Sequence, residues 1–223
     1  WPLAVQGPKA ADVLAKVFGE RIYSIKKFNF DYFSLDGSSQ LIAKTGYSRI
    51  GGFEIYLSRP ELGSSLWETI LEAGRSENIR PGSPNIIDRV EAGLLSFGNE
   101  MTVENTPLEC NMDKFLDINK EADYIGKKVL QRQIRYGIKR RIRGIIYNGP
   151  KLPTISRPLQ VFDIDKRTIV GSLTSGAFSP HFKRNIGVGM IKYGYWDNNK
   201  KILVNIADQE FREGLIKDLP LIQ

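Results

Sequence analysis

Hydrophobic and polar positions alternate along F-E-I-Y-L, placing Phe53, Ile55 and Leu57 on one face of a strand and Glu54 and Tyr56 on the other. The apolar face suits a core. The other points a carboxylate and a phenol at whatever lies opposite, water or a ligand. Strand patterns also cover P-L-A-V-Q near the start and residues 28–34 and 40–45, which flank a D-G turn at Asp36-Gly37. Helical spacing interrupts them. Val13, Leu14, Val17 and Phe18 form the stripe of a helix opening at Pro8 and stopping at Gly19. A second helix is predicted from Ser65, with Glu68 completing a capping box and Leu66, Trp67, Ile70 and Leu71 buried. A third has Ser83 as N-cap and Pro84 at its first position, and runs through Ile86, Ile87, Val90 and Leu94. This order predicts an α+β arrangement with helices packed on one sheet face.

From about Arg140 the pattern changes to strands separated by turn signals: R-I-R-G-I-I-Y, P-L-Q-V-F-D-I, T-I-V-G-S-L, I-G-V-G-M-I and K-I-L-V-N-I. Short, evenly spaced strands of this kind predict a small antiparallel β-barrel. A helix over residues 126–136 connects the halves. The expected domains are therefore a mixed region over residues 1–136 and a barrel over 137–223.

Composition narrows the chemistry. The 223 residues are 41% hydrophobic and 26% charged, ordinary for a globular protein with a core. No apolar run reaches the roughly 20 residues of a membrane helix, so no membrane partner is expected. The first Met is Met101, and the native start is expected to lie upstream. One cysteine, Cys110, excludes an internal disulfide and suits a reducing compartment, with the cytoplasm as the expected location. One histidine, His181, and no H-x-x-H or C-x-x-C spacing argue against a metal site or a serine triad. Gly187 and Gly189 form a G-x-G within a strand, without the helix that a dinucleotide site needs.

The net charge of +7 favours acidic partners. Its concentration in Lys127 to Arg143 reads as a solvated helix face running into an exposed strand. Nucleic acid is not expected, because only Tyr136 offers a ring for base stacking. What remains is Glu54 with Tyr47 and Tyr56. A carboxylate accepts two parallel N–H donors, which a 2-amino-4-oxo-pterin presents along one edge. Gly51 and Gly52 would let a flat ring approach the backbone. On the pattern alone, Glu54 equally fits a solvent-facing strand residue.

Several longer motifs stand in a telling order: V-Q-G-P-K-A, G-Y-x-x-x-G-G-F-E-I, R-V-E-A-G-L-L-S-F-G-N-E, N-T-P-L-E-C, Y-I-G-K-K and T-S-G-A-F-S-P-H-F-K-R-N-I-G-V-G-M-I. Together they resemble the glycine-cleavage T-protein (aminomethyltransferase) superfamily, over residue 4 to about 191. The resemblance implies a folate-binding α+β region followed by a β-barrel, with tetrahydrofolate as cofactor. It implies that Glu54 holds the pterin and that Tyr47 matches the family's motif tyrosine, while Tyr56 stays a candidate from the alternation alone. The family's catalytic aspartate belongs to an N-terminal part not among these residues, so no catalytic residue is assigned.

Departures from the family pattern refine the expectation. G-Y-S-R-I-G-G-F-E stands where aminomethyltransferases usually read G-Y-T-G-E-D-G-F-E, and Asn85 stands where they carry a folate-side arginine. V-N-I-A-D-Q replaces a basic V-R-x-K near the C-terminus. These features look like the dimethylsulfoniopropionate demethylase branch, which moves a methyl group from a sulfonium to tetrahydrofolate. The alternatives are the aminomethyltransferase of glycine cleavage and a non-catalytic folate-binding module. Asn85, at a helix start, is expected near the folate and in partial replacement of the arginine. The basic segment gains a further reading, attraction of a folate glutamate tail. The expected partners are folate and a small methyl donor. This chain alone is expected to be inactive and to self-associate through its first region.

Overall fold

In the computed structural model, residues 2–83 and 85–222 are described. The expectation placed on Pro84 lies outside them. The chain divides into two compact units, Trp1–Asn85 and Ile86–Gln223.

The first unit is α+β. Its strands β1 (Pro2–Gln6), β2 (Phe30–Leu35), β3 (Ser38–Ala43) and β4 (Gly52–Tyr56) form an antiparallel sheet in the order β1-β4-β3-β2. β1 is paired so that Val5 faces Phe53 and Ala4 faces Glu54. From the other side, Ile42 of β3 faces Ile55 and Ala43 faces Glu54. The period of two then sorts the sheet into faces. Val5, Phe33, Ile42, Phe53 and Ile55 point into a core completed by Val13 and Leu14 of α1 (Ala10–Phe18) and Leu66 and Ile70 of α2 (Gly63–Ala73). Each such side chain contributes roughly 1.5–3 kcal/mol by burial.

Helix α2 departs from expectation. It begins at Gly63, directly after a 3₁₀ turn over Pro60–Leu62. Ser65 is therefore already helical, and its hydroxyl donates to the Leu62 carbonyl oxygen at 3.1 Å instead of capping with Glu68. Trp67 is not in the core but 39% exposed.

The second unit is built on a closed antiparallel barrel in the order β10-β5-β8-β7-β6-β9. Its strands are β5 (Arg140–Tyr147), β6 (Leu159–Phe162), β7 (Ile169–Ser179), β8 (Arg184–Lys192), β9 (Lys201–Ala207) and β10 (Glu210–Lys217). The sixth of these, β10, was not foreseen, and it closes the barrel by pairing with both β9 and β5. Ile145, Val161, Leu173, Ile191, Val204 and Ile216 fill the interior. Helix α3 (Ile86–Glu91) is shorter than expected and stops before Leu94, while α4 (Lys127–Tyr136) falls as predicted.

A buried polar network fastens α3 to the barrel. The Arg89 guanidinium donates to both Glu100 oxygens (2.8 and 3.3 Å), to the Leu94 carbonyl oxygen and to the Ser175 hydroxyl of β7. Two residues on, Glu91 accepts the hydroxyl of Ser179, also of β7. The motif R-V-E-A-G-L-L-S-F-G-N-E thus carries the contacts that hold this helix in place. Arg89→Met strands the Glu100 carboxylate, whose side chain is fully buried, without its cation. We expect a loss of about 3–5 kcal/mol in the denaturant unfolding of the barrel unit.

Inside the barrel the Tyr147 hydroxyl has no hydrogen-bond partner among the described residues, and burial pushes its phenol up to about 12. The folded form keeps this proton at a pH where the unfolded chain, titrating near 10, has lost it. Stability from this group is therefore complete below pH 10 and falls as pH rises through about 12. The total is roughly 3 kcal/mol. Unfolding curves of Tyr147→Phe should lack that alkaline decline and match or exceed the parent at neutral pH, since the variant removes an unsatisfied buried hydroxyl.

Candidate functional site

The outer face of the four-stranded sheet positions Glu54. Both strand neighbours directly opposite it are alanines, Ala4 on β1 and Ala43 on β3. The half-buried carboxylate therefore stands between two short side chains, that of Ala4 exposed and that of Ala43 buried. Leu41 lies opposite Tyr56 on the same face, and beyond it Phe30 and Tyr32 of β2 are 57% and 55% exposed and meet edge to face at 5.9 Å. A carboxylate rimmed by rings and small side chains suits a flat ligand with N–H donors along one edge.

Two hydroxyls define the carboxylate's surroundings. Thr45 donates from its Oγ1 to Glu54 Oε2. Tyr56, two residues along the strand, is held above the ordinary phenol range by burial, then by the Glu54 charge and by a hydrogen bond to it. Glu54 and Tyr56 are thus brought together as the alternation required. Thr45 was not foreseen, and no sequence spacing marks it, because it reaches Glu54 from the loop between β3 and β4.

That same loop carries Tyr47, which is 46% exposed. Gln6, at the end of β1, spans the loop. Its Nε2 donates to the carbonyl oxygens of Thr45 and Phe53 at 3.3 and 3.2 Å, and its Oε1 accepts from the Ser48 hydroxyl at 2.8 Å. Asn85 is exposed, ends the first compact unit and immediately precedes α3.

The basic run divides in two. On β5, Arg140 pairs with Glu109, Arg141 with Asp113 and Arg143 with Asp218. Arg143 is only 8% exposed, so this half is a neutralised part of the barrel wall and not an exposed strand. On α4, Lys127 spends its ammonium on the carbonyl oxygens of Lys120, Glu121 and Ala122. Lys128, Arg132 and Arg135 make no ion pair among the described residues. Elsewhere, Cys110 is buried, and that burial pushes its thiol up, away from nucleophilic character. His181 is exposed on the turn between β7 and β8 and stacks edge to face on Phe182. No helix among the described residues is long and apolar enough to cross a membrane.

The family model of the GCVT N-terminal domain matches residues 1–120, and that of the glycine cleavage T-protein C-terminal barrel domain matches residues 140–219. The chain belongs to the glycine-cleavage T-protein family. Among curated proteins it is 42% identical to the dimethylsulfoniopropionate demethylase DmdA of Ruegeria pomeroyi, over 87% of this chain and 52% of that protein. It is 38% identical to an aminomethyltransferase of Caldanaerobacter subterraneus over 96% of this chain and 56% of that protein. The chain thus spans little more than half the length of these relatives. The crystal structure of the glycine cleavage system aminomethyltransferase T from Bartonella henselae superimposes with a TM-score of 0.81 at 24% identity, over 99% of this chain and 59% of that one, which establishes a common fold.

Glu54→Gln removes the charge beside Tyr56 and should bring its phenol down towards 10. Tyrosine-resolved NMR titration of parent and variant checks this, and an unmoved midpoint refutes the pairing.

Proposed function

We propose that this chain is the larger part of a tetrahydrofolate-dependent methyltransferase that takes a methyl group from a sulfonium donor, in the manner of a dimethylsulfoniopropionate demethylase. The observation that carries the reading is Glu54. It is an acceptor-only carboxylate on a strand hydrogen-bonded on both sides, flanked by two alanines and oriented by Thr45. It suits the paired N–H donors of a pterin edge. Tyr56 offers a ring and a hydroxyl beside it, Tyr47 is a further candidate on the loop that carries Thr45, and Asn85 takes the place where the resembled aminomethyltransferases have an arginine. Residues 1–136 would serve as the folate-binding region and 137–223 as the barrel domain, in a cytoplasmic protein.

The chemistry asks little of side chains. N5 of tetrahydrofolate attacks the sulfonium methyl in line. A carbon–nitrogen bond forms as the carbon–sulfur bond breaks, a neutral thioether leaves, and N5 then gives up its proton. Catalysis comes from holding both substrates at near-attack distance and from aromatic faces that tolerate the sulfonium cation. The resembled family's aspartate falls outside these residues, so the chain alone is expected to be silent.

A second reading, aminomethyl transfer in glycine cleavage, draws support from relatives at 38% and 35% identity that align over 96% of the chain, more than the demethylase does. A third is a folate-binding module without activity. Assays of the chain joined to its family's N-terminal portion separate them. Methyl transfer from dimethylsulfoniopropionate supports the first reading, transfer from an aminomethyl-lipoyl carrier the second, and folate binding with neither activity the third. In the same protein, Glu54→Gln turns an amide donor towards the pterin's own donors and should weaken tetrahydrofolate by on the order of 2–4 kcal/mol. Unchanged affinity, read by calorimetry, sinks the role of Glu54.

A further inference from the structure

We propose that Gln6 is the positioning residue of this site, its side-chain amide fixing the Thr45–Phe53 loop and, through Thr45, the direction in which Glu54 presents its carboxylate. The inference rests on the reading of Glu54 as the ligand-facing acid and names a residue that the family resemblance leaves without a role.

The contacts form a continuous chain. Both N–H groups of the Gln6 amide are used, one on the carbonyl oxygen of Thr45 before the loop and one on that of Phe53 after it. Its oxygen takes the hydroxyl of Ser48 in the middle. A single side chain therefore closes the loop at its beginning, centre and end. Thr45, held by its carbonyl, turns its hydroxyl onto Glu54. Tyr47 rides on the same loop, between the fixed Thr45 and Ser48.

The glycines of G-Y-S-R-I-G-G fit this role. A Cβ built on Gly46 would lie 2.0 Å from Gln6 Oε1, and one on Gly52 would lie 2.4 Å from the Val5 carbonyl oxygen and 2.8 Å from Gln6 Nε2. The amide occupies the space that side chains at these two positions would need. Gly52 also has a φ of +144°, which few other residues adopt. V-Q-G-P and G-Y-S-R-I-G-G, distant in sequence, are the two halves of one device.

A donor requirement separates positioning from space filling. Gln6→Met keeps the length of the side chain and adds no charge but loses both donors. Gly46→Ala keeps Gln6 but pushes its amide aside. The test is NMR titration of Tyr56, whose phenol is raised by burial and then by the charge and hydrogen bond of Glu54, with Tyr56→Phe for assignment. Gln6→Ala, Gln6→Met and Gly46→Ala are each expected to lower the Tyr56 midpoint towards 10. Thr45→Val should do the same, with no further drop in the double variant with Gln6→Ala. A Tyr56 midpoint equal to the parent's in Gln6→Ala overturns the proposal, as does Gln6→Met behaving like the parent. Calorimetry with tetrahydrofolate adds a second reading. Gln6→Ala should weaken binding about tenfold in the parent background and not at all in Glu54→Gln, whereas equal losses in both backgrounds overturn it. If Glu54→Gln itself leaves tetrahydrofolate binding unchanged, the functional reading of Glu54 fails, and the Tyr56 titration still decides the role of Gln6.

Discussion

The organisation of the first unit depends on β4 being bonded on both edges. With β1 on one side and β3 on the other, its register is set twice, and every residue along it is assigned to a face. A slip of one residue would drive Glu54 into the core beside Val13 and Leu14 and expose Phe53 and Ile55. The roughly 1.5–3 kcal/mol that each of these apolar side chains gains by burial forbids that slip. The carboxylate is thus held outward by hydrophobic burial on the opposite side of the sheet. Binding chemistry on one face is anchored by packing on the other.

The second unit solves a different problem. A closed barrel leaves no free strand edge, and its wall spends the arginines of β5 on Glu109, Asp113 and Asp218. The motif residues there prove to be fastenings. Glu109 of N-T-P-L-E-C also accepts the backbone N–H of Thr106 at 3.0 Å while its own carbonyl oxygen takes that of Ile142 at 2.7 Å, which ties the preceding loop to the wall. Arg89, Glu91 and Glu100 do the same for α3.

Much of this was legible in the sequence wherever periodicity is a local matter. The alternation of β4, the stripe of α1 and most barrel strands follow from one-sided burial. Legibility ended where contacts are made over long separations. Gln6 meets residues 39 and 47 positions away, and its motif V-Q-G-P-K-A marks the position without saying what it contacts. Thr45 is unmarked. Strand β10 escaped because Arg212 and Glu213 interrupt its apolar run. Arg212 turns back along the wall to the Pro150 carbonyl oxygen at 2.7 Å, so a charged residue sits where alternation suggests the strand should end. The capping box at Ser65 failed because a 3₁₀ turn had already begun the helix.

The basic run meets two fates within the second unit. Neutralisation of the β5 arginines leaves Lys128, Arg132 and Arg135, close together on α4, as cations without an ion pair among the described residues, within a chain of net charge +7. Spaced four and three residues apart, they lie along one side of the helix over about 10 Å, comparable to the Debye length at physiological ionic strength. At low salt such a row acts as one concentrated pole.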